Sequence, residues 1–343
     1  MHEPSGSVGE TGVRRANVHP RCPIADWLWA MRDHPGPKLV TGRRGIGKSA
    51  QLASFADRLV AEGVPKSGIV SIDGESAQAC RLLSSDRIID YIDGQCRGAG
   101  NVYVLIREGS SFPDIETVLG TLAAMPRFNV FATASSRSML TAGLGRYLDG
   151  RLAHYECLPP LHAESPEEMR RIWHEALLYD VRTPIRQSFN AQVLNCLACH
   201  LSDNVGDSLS LRRIASAISP AGGLLSPHTI DSYLTAFCNA YLVEKCLRYD
   251  LAEECVQKSQ FRCYFTSPAM RSALFNSAPS GESRRARLNA AWLRLRSESD
   301  EVFAASSAPE QVDFVTRTGT DYRMWHVGER EISEVPRDSF VAG

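Results

Sequence analysis

The 343-residue sequence lacks the features that would assign it to a membrane or to an export route. No apolar run approaches the roughly 20 residues that a membrane-spanning helix needs. Residues 1–20 are polar, rich in glycine, serine and charge, and have no apolar core of a signal peptide. We therefore expect a disordered leader over residues 1–20, a cytoplasmic location and no membrane partner.

A strong net charge of either sign is also lacking. The chain has 38 Lys and Arg residues against 39 Asp and Glu residues, which gives a formal net charge of −1. This balance offers no global argument for nucleic acid or an anionic membrane as a partner. The ten cysteines are scattered along the chain. In a cytosolic protein we expect them to be small buried hydrophobes rather than disulfides.

What the sequence does contain is a complete phosphate-binding loop of the form GxxxxGK[ST]. The loop consists of Gly42, Arg43, Arg44, Gly45, Ile46, Gly47, Lys48 and Ser49. An apolar strand pattern precedes it at residues 37–41, and a helical apolar pattern follows it, which is the context that the motif needs. A glycine-rich turn without a ligand is the alternative.

Each part of this loop has a chemical role toward a nucleotide. The glycines let main-chain N–H groups surround phosphate oxygens, and the N-terminus of the following helix adds its positive dipole end. Lys48 would reach the β- and γ-phosphates, and the Ser49 hydroxyl would ligate Mg²⁺. We therefore predict ATP and ADP as ligands and Mg²⁺ as the accompanying metal ion.

Strands and helices alternate after the loop. Apolar strand patterns at residues 69–72, 102–106 and 129–133 are separated by helical patterns, which predicts an α/β fold with a parallel sheet and helices on both faces. Ligands of such sheets bind at the carboxyl ends of the strands. The polar residues at those ends are Asp73, Arg107, Glu108, Ser135 and Ser136.

One position departs from the pattern of an active ATPase. An Asp that holds Mg²⁺ through water normally follows the apolar strand, often with a Glu that activates water, but this chain has Arg107 and Glu108 there. Glu108 can still orient water. Arg107 could weaken metal binding, because two like charges 4 Å apart repel by about 4 kcal/mol at an effective dielectric constant near 20. It could instead bind the γ-phosphate, or turn to solvent, so we expect hydrolysis to be slow or absent.

With these motifs in order, the chain resembles the prokaryotic AAA-type P-loop ATPases that join a nucleotide domain, a winged helix and a C-terminal domain related to restriction-type nucleases. The resemblance runs from about Ile24 to Val327. Ser135 lies where the family has a sensor residue that would contact the γ-phosphate. Arg151 matches the arginine of the family's Leu-Thr-Gly-Arg segment, which implies a catalytic contact to nucleotide within the chain or across a subunit boundary. Glu108 takes the family's catalytic position.

The second part of the chain resembles a helical lid and winged helix, over residues 163–275. Two helical patterns, 209–218 and 226–241, precede two strand patterns that would pair as a wing. The second helix offers no Arg or Lys to a DNA groove. We therefore expect packing or contact with a protein partner, with DNA as the less favoured partner; self-association is open.

Residues 276–343 resemble a small α/β nuclease domain that has lost its metal ligands. Asp313 is kept, but Leu288 and Arg294 stand where family members have acids. One carboxylate cannot hold a catalytic metal, so we expect no nuclease activity. With residues 21–162 as the AAA-like domain, the sequence predicts an ATP-binding switch or scaffold. An active Mg²⁺-dependent ATPase and a winged-helix DNA-binding regulator are the alternatives.

Overall fold

The computed structural model describes most of the chain and divides it into two compact units, residues 1–158 and 159–343. The described residues are 22–76, 79–82, 84–96, 100–112, 114–140, 144, 148, 151–158, 165–182, 190–219, 225–275, 284–306 and 312–336. The predicted leader at residues 1–20 lies outside them.

The first unit is built on a parallel sheet. Its strands are β1 Lys38–Gly42, β2 Ile69–Asp73, β3 Val102–Arg107, β4 Phe128–Ala134 and β5 Ala153–Cys157, and its helices are α1 Ile24–Ala30, α2 Lys48–Ala61, α3 Ser85–Gln95 and α4 Ile115–Ala123. The strand order is β2-β3-β4-β1-β5, and every pairing is parallel. β4 therefore separates the strand that carries the loop from β3.

Helices cover both faces of this sheet, because side chains alternate between the faces along each strand. On one face, Val40 packs in a cluster with Leu52 of α2. On the other, Leu39 packs in a cluster with Ile88 of α3 and Val118 of α4. The predicted parallel α/β sheet is confirmed.

The second unit contains six helices and an antiparallel-rich sheet among its described residues. The helices are α5 Pro166–Ala176, α6 Ala191–Asp203, α7 Leu211–Ile218, α8 Pro227–Asn239, α9 Pro268–Phe275 and α10 Arg284–Glu298. The strands are β6 Val243–Asp250, β7 Cys255–Phe265, β8 Glu301–Ser306, β9 Phe314–Thr318, β10 Asp321–Val327 and β11 Ile332–Val335. Their order in the sheet is β11-β10-β9-β8-β6-β7.

The succession of α7, α8 and the β6/β7 hairpin has the order that a winged helix requires. The hairpin is part of the larger sheet, however, because β6 also pairs in parallel with β8. The sheet thus joins strands from both sides of residue 276, where the sequence places a domain boundary. A winged helix and a separate nuclease-like domain remain predictions.

Helix α10 is fixed to the hairpin by a buried amide. Asn289 is 1% exposed, its Oδ1 accepts from the Phe265 main-chain N–H, and its Nδ2 donates to the Phe265 carbonyl, each at 2.8 Å. Both bonds satisfy main-chain groups at the end of β7 that would otherwise be buried without partners. Among the described residues of the unit, the larger apolar cluster extends from Met169 to Val327, and a smaller one contains Tyr249, Phe303, Ala305 and Val315.

Candidate nucleotide-binding site

The loop between β1 and α2 requires glycine at two points. Gly47 precedes α2 with φ 96°, in the left-handed region that favours glycine. Gly42, with φ 154°, lies so close to β5 that an added Cβ would be 2.7 Å from Cys157 Cβ and 2.8 Å from its carbonyl oxygen. Burial raises the pKa of the Cys157 thiol to about 12, so this neighbour is uncharged. Among the described residues, no side chain caps the N-terminus of α2.

Lys48 lies in the centre of the loop and is 3% exposed. Its Nζ donates to the Gly42 carbonyl at 2.9 Å, to the Arg43 carbonyl at 3.1 Å and to Ser135 Oγ at 2.9 Å. A buried ammonium group needs such acceptors, because an unpaired buried charge is very costly. The lysine therefore ties the loop to the end of β4, and two of these hydrogen bonds go to main-chain oxygens.

Glu108 belongs to the same buried network. It follows β3 with φ 47°, in the left-handed region, and is 8% exposed. Its carboxylate accepts from the Ser135 N–H at 2.9 Å and from Ser135 Oγ at 3.0 Å, and it lies 3.7 Å from Lys48 Nζ. The Glu108 N–H in turn donates to Thr133 Oγ1. The structure thus brings together three of the predicted site residues.

Arg107 has a different neighbour. It pairs in register with Asp73 of β2, and its guanidinium lies 3.2 Å from an Asp73 carboxylate oxygen. Both side chains are about one-third exposed. The sequence left three possibilities open for Arg107, which are weaker metal binding, contact with the γ-phosphate and exposure to solvent. The structure shows a fourth arrangement, an ion pair with Asp73 at the end of the adjacent strand.

The other acid near this edge is paired as well. Arg44, within the loop, contacts both carboxylate oxygens of Glu75, at 2.7 and 3.0 Å. Arg44 is nearly buried, so this bidentate pair is better shielded from water than a surface pair. Asp73 and Glu75 are the acids that could replace a missing metal ligand, and each of them contacts an arginine.

The remaining loop residues differ in exposure. Arg43 is 1% exposed, whereas Gly45 is exposed and Ile46 is half-buried. Ser49 lies in the first turn of α2 and is half-buried, which is where a metal-ligating hydroxyl of such a loop belongs.

Arg151 lies elsewhere. It is exposed, its Nε donates to the Leu148 carbonyl, and a Cβ on Gly36 would meet its carbonyl oxygen. It therefore precedes β5 at the amino-terminal edge of the sheet, whereas the loop follows β1 at the carboxyl-terminal edge. At about 3.3 Å per strand residue the two edges are roughly 15 Å apart. The structure does not bring Arg151 to the loop of its own chain.

Sequence reasoning missed one ion pair at the loop's edge. Arg137, two residues after Ser135, donates from Nε and a terminal nitrogen to Glu156 Oε1, at 3.1 and 2.6 Å. Glu156 reaches this edge because β5 pairs with β1, which sets it opposite Thr41. The signal that could have indicated this ion pair is the position of Arg137, two residues after the predicted sensor residue Ser135.

The second unit holds Asp313, the acid kept from the nuclease pattern. It is 4% exposed; Arg284 lies 2.6 Å from its Oδ1, and its Oδ2 accepts from the Val327 N–H at 2.8 Å. In the described part of the chain, no group of three or more His, Cys, Asp or Glu residues is arranged to hold a metal ion.

The family comparison bears on the first unit. Residues 34–165 match the family model described as an AAA domain. Together with the loop and the parallel sheet, this match supports an AAA-type P-loop fold for the first unit. In the described part of the chain, none of the helices combines the length and apolar character that a membrane span requires.

A relative without an assigned function matches most of the chain. It is an uncharacterized protein of Haemophilus influenzae, 21% identical over 317 residues, which cover 82% of this chain and 79% of that protein.

Several solved structures show weaker likeness. A DNA polymerase III gamma subunit-related protein from Thermotoga maritima matches 62% of this chain and 71% of its own, with 14% identity and a TM-score of 0.31. Domain III of the replication initiation protein DnaA from the same organism matches 62% and 88%, with 18% identity and a TM-score of 0.28. PCH-2 of C. elegans matches 62% and 65%, with 15% identity and a TM-score of 0.30. These TM-scores are too low to define a shared fold.

Proposed function

We propose that this protein is an ATP-dependent switch or scaffold of the AAA type, with slow or absent hydrolysis. The observation that carries the proposal is the contrast between an intact binding loop and a strand end at which Arg107 pairs with Asp73. We expect it to act in the cytoplasm on another protein.

The loop residues fit a nucleoside triphosphate. The first turn of α2 has no side-chain cap among the described residues, so its N–H groups are suited to phosphate oxygens. When ATP binds, Lys48 would exchange its Gly42 and Arg43 carbonyl acceptors for phosphate oxygens. The contacts within the loop would then change with the bound nucleotide. Such an exchange is the local event that a nucleotide switch needs.

The residues fit Mg²⁺ less completely. The Ser49 hydroxyl is a suitable ligand, and a bound Mg²⁺ would supply neutralisation of phosphate charge. Asp73 and Glu75 are in ion pairs with arginines, which leaves Glu108 as the acid beside the loop lysine. One carboxylate would then have to serve both the metal and the attacking water. We expect slow hydrolysis because one carboxylate cannot fill both roles at the same time.

A working ATPase is the second candidate, and one contact favours it. Glu108 is held by two hydrogen bonds from Ser135 and lies 3.7 Å from Lys48, so its orientation is fixed before any substrate arrives. A preoriented acid is what activation of water requires. In this alternative Glu108 activates water, and Asp73 or Glu75 replaces the acid that is missing at position 107.

DNA receives no such support from the predicted recognition helix. α8 contains neither Arg nor Lys, and its Asp231 lies 3.4 Å from Lys245 of β6. An acidic residue facing a DNA backbone would be repelled.

Phosphate release, measured with and without Mg²⁺ beside an ATP-binding titration, tests the proposal. We expect ATP to bind while release stays far below the roughly 10 per second that is typical of enzymes. Release near that rate, abolished by Glu108→Gln, would replace the proposed switch with the working ATPase. Failure to bind ATP would contradict both the proposed switch and the working ATPase.

A further inference from the structure

Two cavities open beside the β6/β7 hairpin of the second unit, with volumes of about 490 and 260 Å³. They share Ser208 and Arg262 in their walls. Arg284 and Arg285 of α10 line the larger cavity, and Arg248 of β6 lines the smaller. We call the two together the arginine hollow.

Only part of the positive charge in the hollow is neutralised. Among its described wall residues the carboxylates are Asp207 and Asp313, against four arginines. Arg285 lies 2.7 Å from Asp207, and Arg284 lies 2.6 Å from Asp313. Each carboxylate is therefore already matched by one arginine, and the described part of the walls retains two further positive charges.

The other two arginines contact neutral acceptors. Arg262 donates to the carbonyls of Ala305 at 3.2 Å and Asp313 at 3.5 Å. Arg248 donates to Gln260 Oε1 at 2.6 Å, while its buried Nε has no hydrogen-bond partner among the described residues. A buried donor without a partner costs free energy, and two guanidinium groups that lack a counter-ion among the described residues raise the local potential further.

Helix α10 adds to that potential. Its first turn contains Arg284, Arg285 and Arg287 and no acidic residue. The N-terminus of a helix carries a positive partial charge, so acids are stabilising there and bases are not. Arg284 and Arg285 are paired with Asp313 and Asp207, and the helix dipole adds positive potential at the wall that they form.

We propose that the arginine hollow binds a phosphate-bearing ligand. The planar guanidinium group forms paired hydrogen bonds to phosphate oxygens, and it does so better than lysine. The larger cavity falls within the range of about 300–1,000 Å³ that small-molecule sites occupy. The phosphate can come from a free phosphorylated compound or from the backbone of single-stranded nucleic acid, and the hollow offers the same groups to both.

The test uses the full chain carrying Lys48→Ala, so that the loop of the first unit does not contribute phosphate binding. Pyrophosphate is titrated calorimetrically, and a fluorescein-labelled oligonucleotide of twelve thymidines is titrated by fluorescence anisotropy. Arg285→Gln removes a wall charge, and Asp207→Asn removes the acid that neutralises it. Arg294→Gln is the matched control, because Arg294 is an exposed arginine of the same helix that pairs with Glu298.

We expect Arg285→Gln to raise the Kd roughly tenfold, since charge-assisted hydrogen bonds are about twice as strong as neutral ones. Asp207→Asn should lower the Kd, and Arg294→Gln should leave it unchanged. If Arg285→Gln alters the melting curve, Arg248→Gln is titrated in its place, and it should also raise the Kd. Binding of pyrophosphate alone indicates a small ligand. Salt-dependent binding of the oligonucleotide, displaced by pyrophosphate, indicates nucleic acid.

The proposal is overturned if neither probe binds at millimolar concentration. It is equally overturned if Arg294→Gln weakens binding as much as Arg285→Gln, because the effect would then be one of overall charge. An unchanged or raised Kd in Asp207→Asn would also contradict it.

Discussion

Arg107 and Asp73 lie side by side in register at the carboxyl ends of β3 and β2, with 3.2 Å between guanidinium and carboxylate. The arginine that stands in place of a metal-binding acid is thus matched by an acid on the neighbouring strand. The next residue, Glu108, turns to the loop through a left-handed backbone conformation. Two consecutive residues therefore have different partners. Arg107 pairs with Asp73, whereas Glu108 belongs to the buried network of Ser135 and Lys48.

Arg107→Asp should raise hydrolysis. The change restores an acid at the end of β3, and because single groups that act on transition-state charge are often worth a hundredfold or more, we expect Mg²⁺-dependent phosphate release at least roughly tenfold above wild type. The new acid would lie opposite Asp73, which costs some stability until a cation binds.

Arg107→Gln is the control for this change, since it also releases Asp73 but adds no acid. A gain in Arg107→Gln equal to that in Arg107→Asp would assign the effect to the loss of the arginine. Unchanged release in Arg107→Asp would show that position 107 does not limit hydrolysis.

Gly42→Ala should destabilise the first unit. The added methyl group would overlap Cys157, and φ 154° strains any other residue. We expect a loss of at least about 2 kcal/mol in the free energy of unfolding, measured by urea denaturation. Gly94→Ala is the matched control, because an added Cβ in the last turn of α3 meets nothing within 4 Å. It should gain about 0.5–1 kcal/mol. Equal effects of the two changes would contradict the described approach of β1 to β5.

Much of the first unit follows from its sequence. The loop fixes a strand before it and a helix after it, and the apolar runs locate β2, β3 and β4 to within a residue or two, whereas β5 was not predicted. The partner of Arg107 could not be foreseen, because it depends on β2 being the neighbour of β3. The approach of Glu108 to Lys48 depends on one positive φ angle, which the residue type does not indicate.

The second unit was less predictable for a similar reason. The helices predicted at residues 209–218 and 226–241 and the hairpin after them have local patterns, and α7, α8 and the β6/β7 hairpin lie close to the predicted positions. The parallel pairing of β6 with β8 joins residues more than fifty positions apart in the sequence, and no local pattern encodes it. The Arg284–Asp313 contact is also a consequence of that long-range assembly.

Lys38 should give the protein a stability that rises with pH above 8. The side chain is 1% exposed and bonds to the His34 carbonyl and Asn129; burial lowers its pKa to about 8 from 10.5, while Asp33 opposes the shift. Between these pKa values the unfolded chain holds a proton that the folded chain has lost, so raising the pH favours folding.

Melting curves of wild type and Lys38→Met test this pH dependence. The Tm of wild type minus that of Lys38→Met should increase by a few degrees between pH 7.5 and pH 10, and stay level between pH 6 and pH 7. A constant difference across the whole range would show that Lys38 keeps its proton in the fold.

Arg151→Ala should leave the ATP and ADP affinities of a single chain unchanged, because Arg151 lies at the edge of the sheet opposite the loop. If the arginine serves a neighbouring subunit, the variant should lose an ATP-dependent increase in mass, measured by light scattering. A selective loss of ATP affinity in the monomer would contradict the described placement.

The central claim is that the loop around Lys48 binds nucleotide, and the melting temperature with ATP tests it most directly. A ligand at a hundredfold excess over its Kd stabilises the fold by about 2.7 kcal/mol, so wild type should melt roughly 5–10 °C higher at saturating ATP. Lys48→Ala should lose this shift, and Arg294→Gln should retain it. A wild type whose melting temperature is the same with and without millimolar ATP would contradict the account.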